Sequence, residues 1–114
     1  MGSVGAVALS GLFASETRIS VAANNIANVD SSNYHAEDVV QSSVAGGGVS
    51  TQVVDRNPPT ITVPDGEGNT TQKPNVDLDQ DLVQANVATY TAQADIKVLQ
   101  TQDKLNKYLI DIQA

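Results

Sequence analysis

Apolar positions divide the chain into three zones. From about residue 4 to 28, Leu12, Ile19 and Ile26 recur every seven residues, with Ala8, Ser15 and Ala22 at the intervening positions. Large and small residues therefore alternate along one seam, which predicts a helix that a partner helix can approach closely. Leu9, Phe13 and Ala23 widen the stripe, while Glu16 and Arg18 fall off it. Asn24, Asn25 and Asn28, followed by turn residues 30–33, are expected to end the helix.

The middle, residues 34–74, loses the helical period. Residues 34–43 read as extended, with Val39 and Val40 the most strand-like. The triplet Gly46-Gly-Gly48 breaks the chain. Residues 49–54 and 60–63 are β-branched runs separated by Asn57-Pro58-Pro59, and they are expected to pair as a small hairpin. Residues 65–72 read as a polar, flexible loop, and Lys73-Pro74-Asn75 leads out of it.

The third zone, residues 77–112, predicts one uninterrupted helix without Gly or Pro. Asp77 is its expected N-cap, with Gln80 completing a capping box. Asp79 and Asp81 complement the positive end of the helix dipole, and Lys104 and Lys107 lie towards the negative end. Two heptad series run along it: Leu78, Leu82, Ala85, Thr89, Ala92, Ile96 and Leu99, and Val87, Thr91, Ala94, Val98, Thr101, Leu105, Tyr108 and Ile112. One partner helix needs one seam, so two seams imply two or more neighbours. The first zone would supply one by folding back antiparallel, and other subunits the rest. The alternative is a single broad stripe that covers a β-hairpin.

Composition reinforces the expectation of shared burial. Among 114 residues there is no Trp or Cys, one Phe, one Met and three Tyr. A compact globule normally buries more aromatic surface. The net charge of −7 argues against nucleic acid and anionic lipid. No run is long and apolar enough to span a bilayer, and the start lacks the pattern of a cleavable signal peptide.

Candidate chemistry is sparse. His35, the single histidine, stands in a polar segment with no triad or metal set around it. Asp65, Glu67 and Asn69 alternate like half a calcium loop, but Thr70 stands where Gly is needed and Val76 where the closing Glu is needed. Asp77, Asp79 and Asp81 point in different directions on a helix. Asn69-Thr-Thr71 fits a glycosylation pattern with nothing to support its use. Gly46-Gly-Gly48 is followed by no Lys-Ser or Lys-Thr, so it is not a phosphate loop. The expectation is no enzyme site, no cofactor and no metal.

Ala8-Leu-Ser-Gly-Leu12, Arg18-Ile19, Asn24-Asn-Ile-Ala-Asn28 and Tyr34 resemble the N-terminal signature of the bacterial flagellar basal-body rod, hook and hook-associated proteins. At the other end, Pro74-Asn-Val-Asp-Leu78 looks like the family's lead-in to its last helix, and Tyr90, Ala92, Val98, Thr101, Asp103, Leu105 and Leu109 continue the pattern. Hook and distal-rod members carry large inserted domains. The short middle here, with Val53-Val-Asp-Arg-Asn-Pro-Pro-Thr-Ile61, looks like a proximal rod subunit. Two departures stand out. Asn33 occupies a position where the family often has Gly, and Asn tolerates positive φ next best. Gln84, Ala85 and Asn86 are smaller and more polar than the family's usual residues.

The expected fold is mainly α with a small β part: N- and C-terminal helices in an antiparallel coiled coil and a short β-hairpin region between them. Residues 1–33, 34–74 and 75–114 are its segments within a single domain. The resemblance implies a structural subunit of the basal-body rod in the periplasm. It would be exported without a cleaved signal peptide by the flagellar export apparatus, and would self-assemble through its terminal helices with copies of itself and other rod subunits. Neither nucleic acid nor membrane insertion is implied. The assembly residues expected are Leu12, Ile19, Ile26, Val98, Leu105, Tyr108 and Ile112; the signature residues are Asn24, Asn25, Ile26, Asn28 and Tyr34. The alternative is a stand-alone periplasmic binding module that uses the hairpin and the acidic loop.

Overall fold

A computed structural model describes residues 2–113, with side-chain environments for 4–112. The elements run α1 (Gly2–Ala27), β1 (Glu37–Ser43), β2 (Val49–Asp55), β3 (Thr60–Pro64), β4 (Thr70–Pro74) and α2 (Leu78–Gln113). The molecule is a rod of 78 × 24 × 15 Å. The helices pack antiparallel: Gly5 of α1 meets Gln102 of α2, Gly11 meets Asp95, and Ser15 shares a cleft with Ala88. This is the mainly α architecture with a small β part that the pattern predicted.

The seam between the helices is rotated from the expected one. Along α2 the positions withdrawn from solvent are Asp81, Ala85, Ala88, Ala92, Asp95, Leu99 and Gln102, and every other described α2 side chain is exposed. The observed heptad shares Ala85, Ala92 and Leu99 with the first series but replaces Leu82, Thr89 and Ile96 by their neighbours Asp81, Ala88 and Asp95. The reason lies in α1. A Cβ on Gly5 would stand 2.6 Å from Gln102 Oε1, and one on Gly11 would stand 2.7 Å from Asp95 Oδ2. The two glycines thus open recesses that polar α2 side chains fill. Ala8, Ser15 and Ala22 of α1 are buried, as expected for small seam positions, while Leu12, Ile19 and Ile26 are half-buried. Arg18, read as lying off the seam, lines the cleft with Ser15 and Ala88.

At the start of α2, Asp77 acts as the N-cap: its Oδ1 accepts from the amides of Asp79 at 3.1 Å and Gln80 at 3.3 Å. Those are two of the four donors a helix start leaves unpaired.

Strand pairing differs from the expected hairpin. β2 does not pair with β3. Instead β1 pairs antiparallel with β2, Glu37 opposite Asp55 and Ser43 opposite Val49, and β3 pairs with β4, Thr60 opposite Pro74 and Pro64 opposite Thr70. The glycine triplet is the reversal between β1 and β2: all three glycines have φ between 92° and 108°, a region L side chains avoid. Pro58 and Pro59 cannot donate to a ladder. The Pro59 carbonyl instead accepts from the amides of Ala36 at 3.1 Å and Asn75 at 3.0 Å, so this segment joins the two ribbons.

The second turn is held by its first residue. Asp65 Oδ1 accepts from the amides of Glu67 at 2.8 Å and Asn69 at 3.2 Å. The first ribbon lies along α1, with Val49 N–H donating to Ser10 Oγ at 3.2 Å and Gly47 against Val7. An α2 stripe does not cover it. The core is thin: its buried apolar residues are Ala8, Ala14, Val21, Ala22, Ala36 and Ala88.

Candidate functional site

Two polar residues hold the ribbons to the helices. Asn25, fully buried, presents its side-chain amide to the backbone of Glu37: Nδ2 donates to the Glu37 carbonyl at 2.9 Å, and Oδ1 accepts the Glu37 amide at 3.0 Å. The side chain thereby occupies the place of a neighbouring strand at the start of β1. Sequence reading took the asparagine cluster as a helix end and missed this clamp. Asn28 does serve locally, donating to the Asn24 carbonyl at 2.9 Å, while the Asn24 side chain is exposed. Asn33 takes φ 66°, the conformation expected where Gly is usual. Ile26 and Tyr34 are half-buried. Burial, and then the charge of Glu37, holds the Tyr34 hydroxyl above its ordinary pKa.

Arg56, in the link after β2, gathers three elements. Its guanidinium donates to Asp38 Oδ1 at 2.8 and 3.1 Å, to Asp81 Oδ1 at 3.1 Å and to the Asn75 carbonyl at 2.8 Å. Its amide donates to the Ala36 carbonyl at 2.7 Å. Asp81 is 1% exposed; it was read as helix-start electrostatics and proves to be the buried anchor of the ion network. Burial alone would lower the Arg56 pKa, but its hydrogen bonds to the Asp81 and Asp38 carboxylates outweigh it and raise the pKa. The signal available in sequence was an arginine two residues before a proline pair, with aspartates on both sides in the chain, which fixes no pairing.

His35 and Asp55 meet at 3.2 Å, both more than half exposed. Among the described residues no cluster of His, Cys, Asp or Glu could hold a metal, and no helix is long and apolar enough to cross a membrane.

Apart from Leu99 and the seam alanines, the apolar residues of α2 are therefore open on both sides of the intramolecular seam. Leu78, Leu82 and Ile96 are 41–51% exposed. Val87, Val98 and Leu105 are similarly open, and Tyr108 and Ile112 reach 66% and 79%. Of the assembly residues expected from sequence, Leu12, Ile19 and Ile26 sit at the edge of the helix pair, and Val98, Leu105, Tyr108 and Ile112 face solvent. A shallow groove of about 330 Å³ near the α1 start is lined by Val4, Val98 and Leu105. The asparagine clamp and its following turn fall within residues 6–35, which match the family model described as flagella basal body rod protein.

The chain is similar to the flagella basal body rod proteins. The match spans most of α1 and the turn through Tyr34, and it leaves the ribbons and α2 outside. No curated protein matches the chain. The rod family is a structural component of the flagellum and not an enzyme family. Within the matched stretch, Asn25 fixes β1, Asn28 closes the last turn of α1, and Asn33 turns the chain.

Proposed function

We propose that this chain is a rod subunit that assembles with copies of itself and other rod subunits into the axial, torque-transmitting tube of the flagellar basal body. The observation that carries the reading is the α2 helix. Apart from Leu99, its intramolecular seam uses small and polar residues, and Leu78, Leu82 and Ile96 of one series and Val87, Val98, Leu105, Tyr108 and Ile112 of the other stay on its surface. Exposed apolar stripes of this kind mark interaction surfaces in soluble proteins. The helix pair in this reading is the preformed unit, and neighbours cover the two stripes. Leu12, Ile19 and Ile26 contribute from the edge of α1; Val98, Leu105, Tyr108 and Ile112 contribute from α2.

The short middle supports a proximal rod position of the FlgC type, with FlgB as the nearest competitor. Export by the flagellar apparatus to the periplasm, without a cleaved signal, completes the proposal. The alternative of a binding module built on the acidic loop is less well supported, because the Asp65 carboxylate is already engaged by its own turn.

The test uses the full chain. Val87→Asp and Val98→Asp replace exposed residues, so the monomer should keep its circular dichroism and melting temperature. Light scattering at rising concentration should show growth for the natural chain and a clear loss for the double variant. A gene deletion complemented with Ile19→Asp should lack rods. Unchanged growth of the double variant together with normal motility of Ile19→Asp would remove the basis for the assembly reading.

A further inference from the structure

Among the described residues α2 is longer than α1, and the end of α2 is left exposed. Gly5 meets Gln102, and α1 begins at Gly2. From about residue 106 onwards α2 therefore extends past the start of α1, by on the order of 10 Å at 1.5 Å per residue. The extension carries Tyr108, Leu109, Ile110 and Ile112, 49–79% exposed. Lys104, Tyr108 and Ile112 share one face at four-residue spacing. The stretch 97–112 is also cationic in an acidic chain. It sets three lysines against two aspartates, whereas the remainder sets three cations against eleven carboxylates.

A second feature complements it. Between α1 and the β1–β2 ribbon lies a groove of about 570 Å³ whose lining includes Phe13, Glu16, Val21, Glu37 and Val53. Phe13 is 58% exposed and Val53 43%. The lining contains two carboxylates and no cation. No ion pair engages Glu16 or Glu37 among the described residues, and Lys104 is likewise unpaired. Lys107 pairs only with exposed Asp103 at 3.2 Å, a contact of the kind that exchanges readily. Within one copy the tip points away from the groove, which starts about eleven residues further along α1, so the two cannot meet.

We propose that the overhanging end of α2 of one copy seats in the α1–ribbon groove of a second copy. Tyr108 and Ile112 lie against Phe13 and Val53, and Lys104 and Lys107 face Glu16 and Glu37. The proposal rests on the assembly reading above and names one of its contacts. Tip and groove are different surfaces, so the contact is heterologous and repeats into an open filament instead of closing as a dimer.

The chain has no cysteine, which makes the contact directly testable. Full-length Tyr108→Cys and isotope-labelled Val53→Cys are mixed in equal amounts under growth conditions, oxidised and weighed by mass spectrometry. Both sites are exposed, so neither change should disturb the monomer. The mixed disulfide should exceed either homodisulfide by about tenfold, because docking raises the local concentration of that pair alone. Glu16→Lys should weaken growth, and adding Lys104→Glu in the same chain should restore it. Scattering growth with mixed disulfide at or below the statistical share would overturn the groove contact and leave the assembly reading standing. No growth and no disulfide at any concentration would overturn both.

Discussion

Asn25→Ala tests whether the buried asparagine clamp holds the ribbon to the helix pair. The substitution removes two hydrogen bonds, at 2.9 and 3.0 Å, from a side chain with no solvent exposure. The Glu37 carbonyl keeps a weak contact to the Arg56 guanidinium at 3.5 Å. The Glu37 amide loses its Asn25 acceptor. A lost neutral hydrogen bond costs about 1 kcal/mol net, and a stranded buried donor about 1–3 kcal/mol. The expected destabilisation is therefore about 2–4 kcal/mol. Asn28→Ala is the control: its amide bonds locally at an exposed site, and its loss should cost under about 1 kcal/mol. Urea unfolding with the slope held common to both variants measures the difference. Amide exchange should also show Glu37 losing protection first. Equal midpoints for the two variants would refute the clamp.

Arg56→Met should cost about 3–5 kcal/mol in the same urea assay, because it leaves the Asp81 carboxylate buried without its cation; adding Asp81→Leu should recover much of that loss, and simple additivity would show that the network is not coupled. Tyr34 predicts an alkaline effect. Its folded pKa lies above the ordinary 10.0, so the folded state holds the proton more tightly, and its stabilisation is complete below pH 10 and declines as pH rises through the folded value; melting temperatures from pH 9 to 12 should fall less steeply in Tyr34→Phe. Asp95→Ala should raise stability by about 1 kcal/mol, since Oδ2 is buried with no hydrogen-bond partner against Gly11; an unchanged or lower melting temperature would mean that the carboxylate has a partner in solution.

What sequence could show depended on whether a residue's role was local. The α2 start was legible because Asp77 reaches only two and three residues along the chain. Asn33 was legible because positive φ is a property of one residue. The ribbons were not, since β-branched runs say that strands exist but not which pair. The decision lay in where the prolines removed donors and where the glycines allowed reversal. Arg56 and Asp81 lie 25 positions apart, and nothing in the spacing joins them.

The rotation of the α2 seam is the most instructive of these differences. Hydrophobic patterning assigns the largest apolar residues to the nearest partner. Here the nearest partner is a helix with glycines at residues 5 and 11 and alanines at 8 and 22, and close approach favours side chains that fit recesses over those that bury most area. Asp95 and Gln102 take the recesses, and Leu82 and Ile96 turn outwards. Two helices that satisfied both apolar stripes on each other would have nothing left with which to bind a neighbour. A small-residue seam fixes the pair at short range and keeps the larger residues for another surface. The thin core and the aromatic-poor composition then have the same cause: in the assembly reading, much of the burial that gives this chain its rigidity lies between subunits.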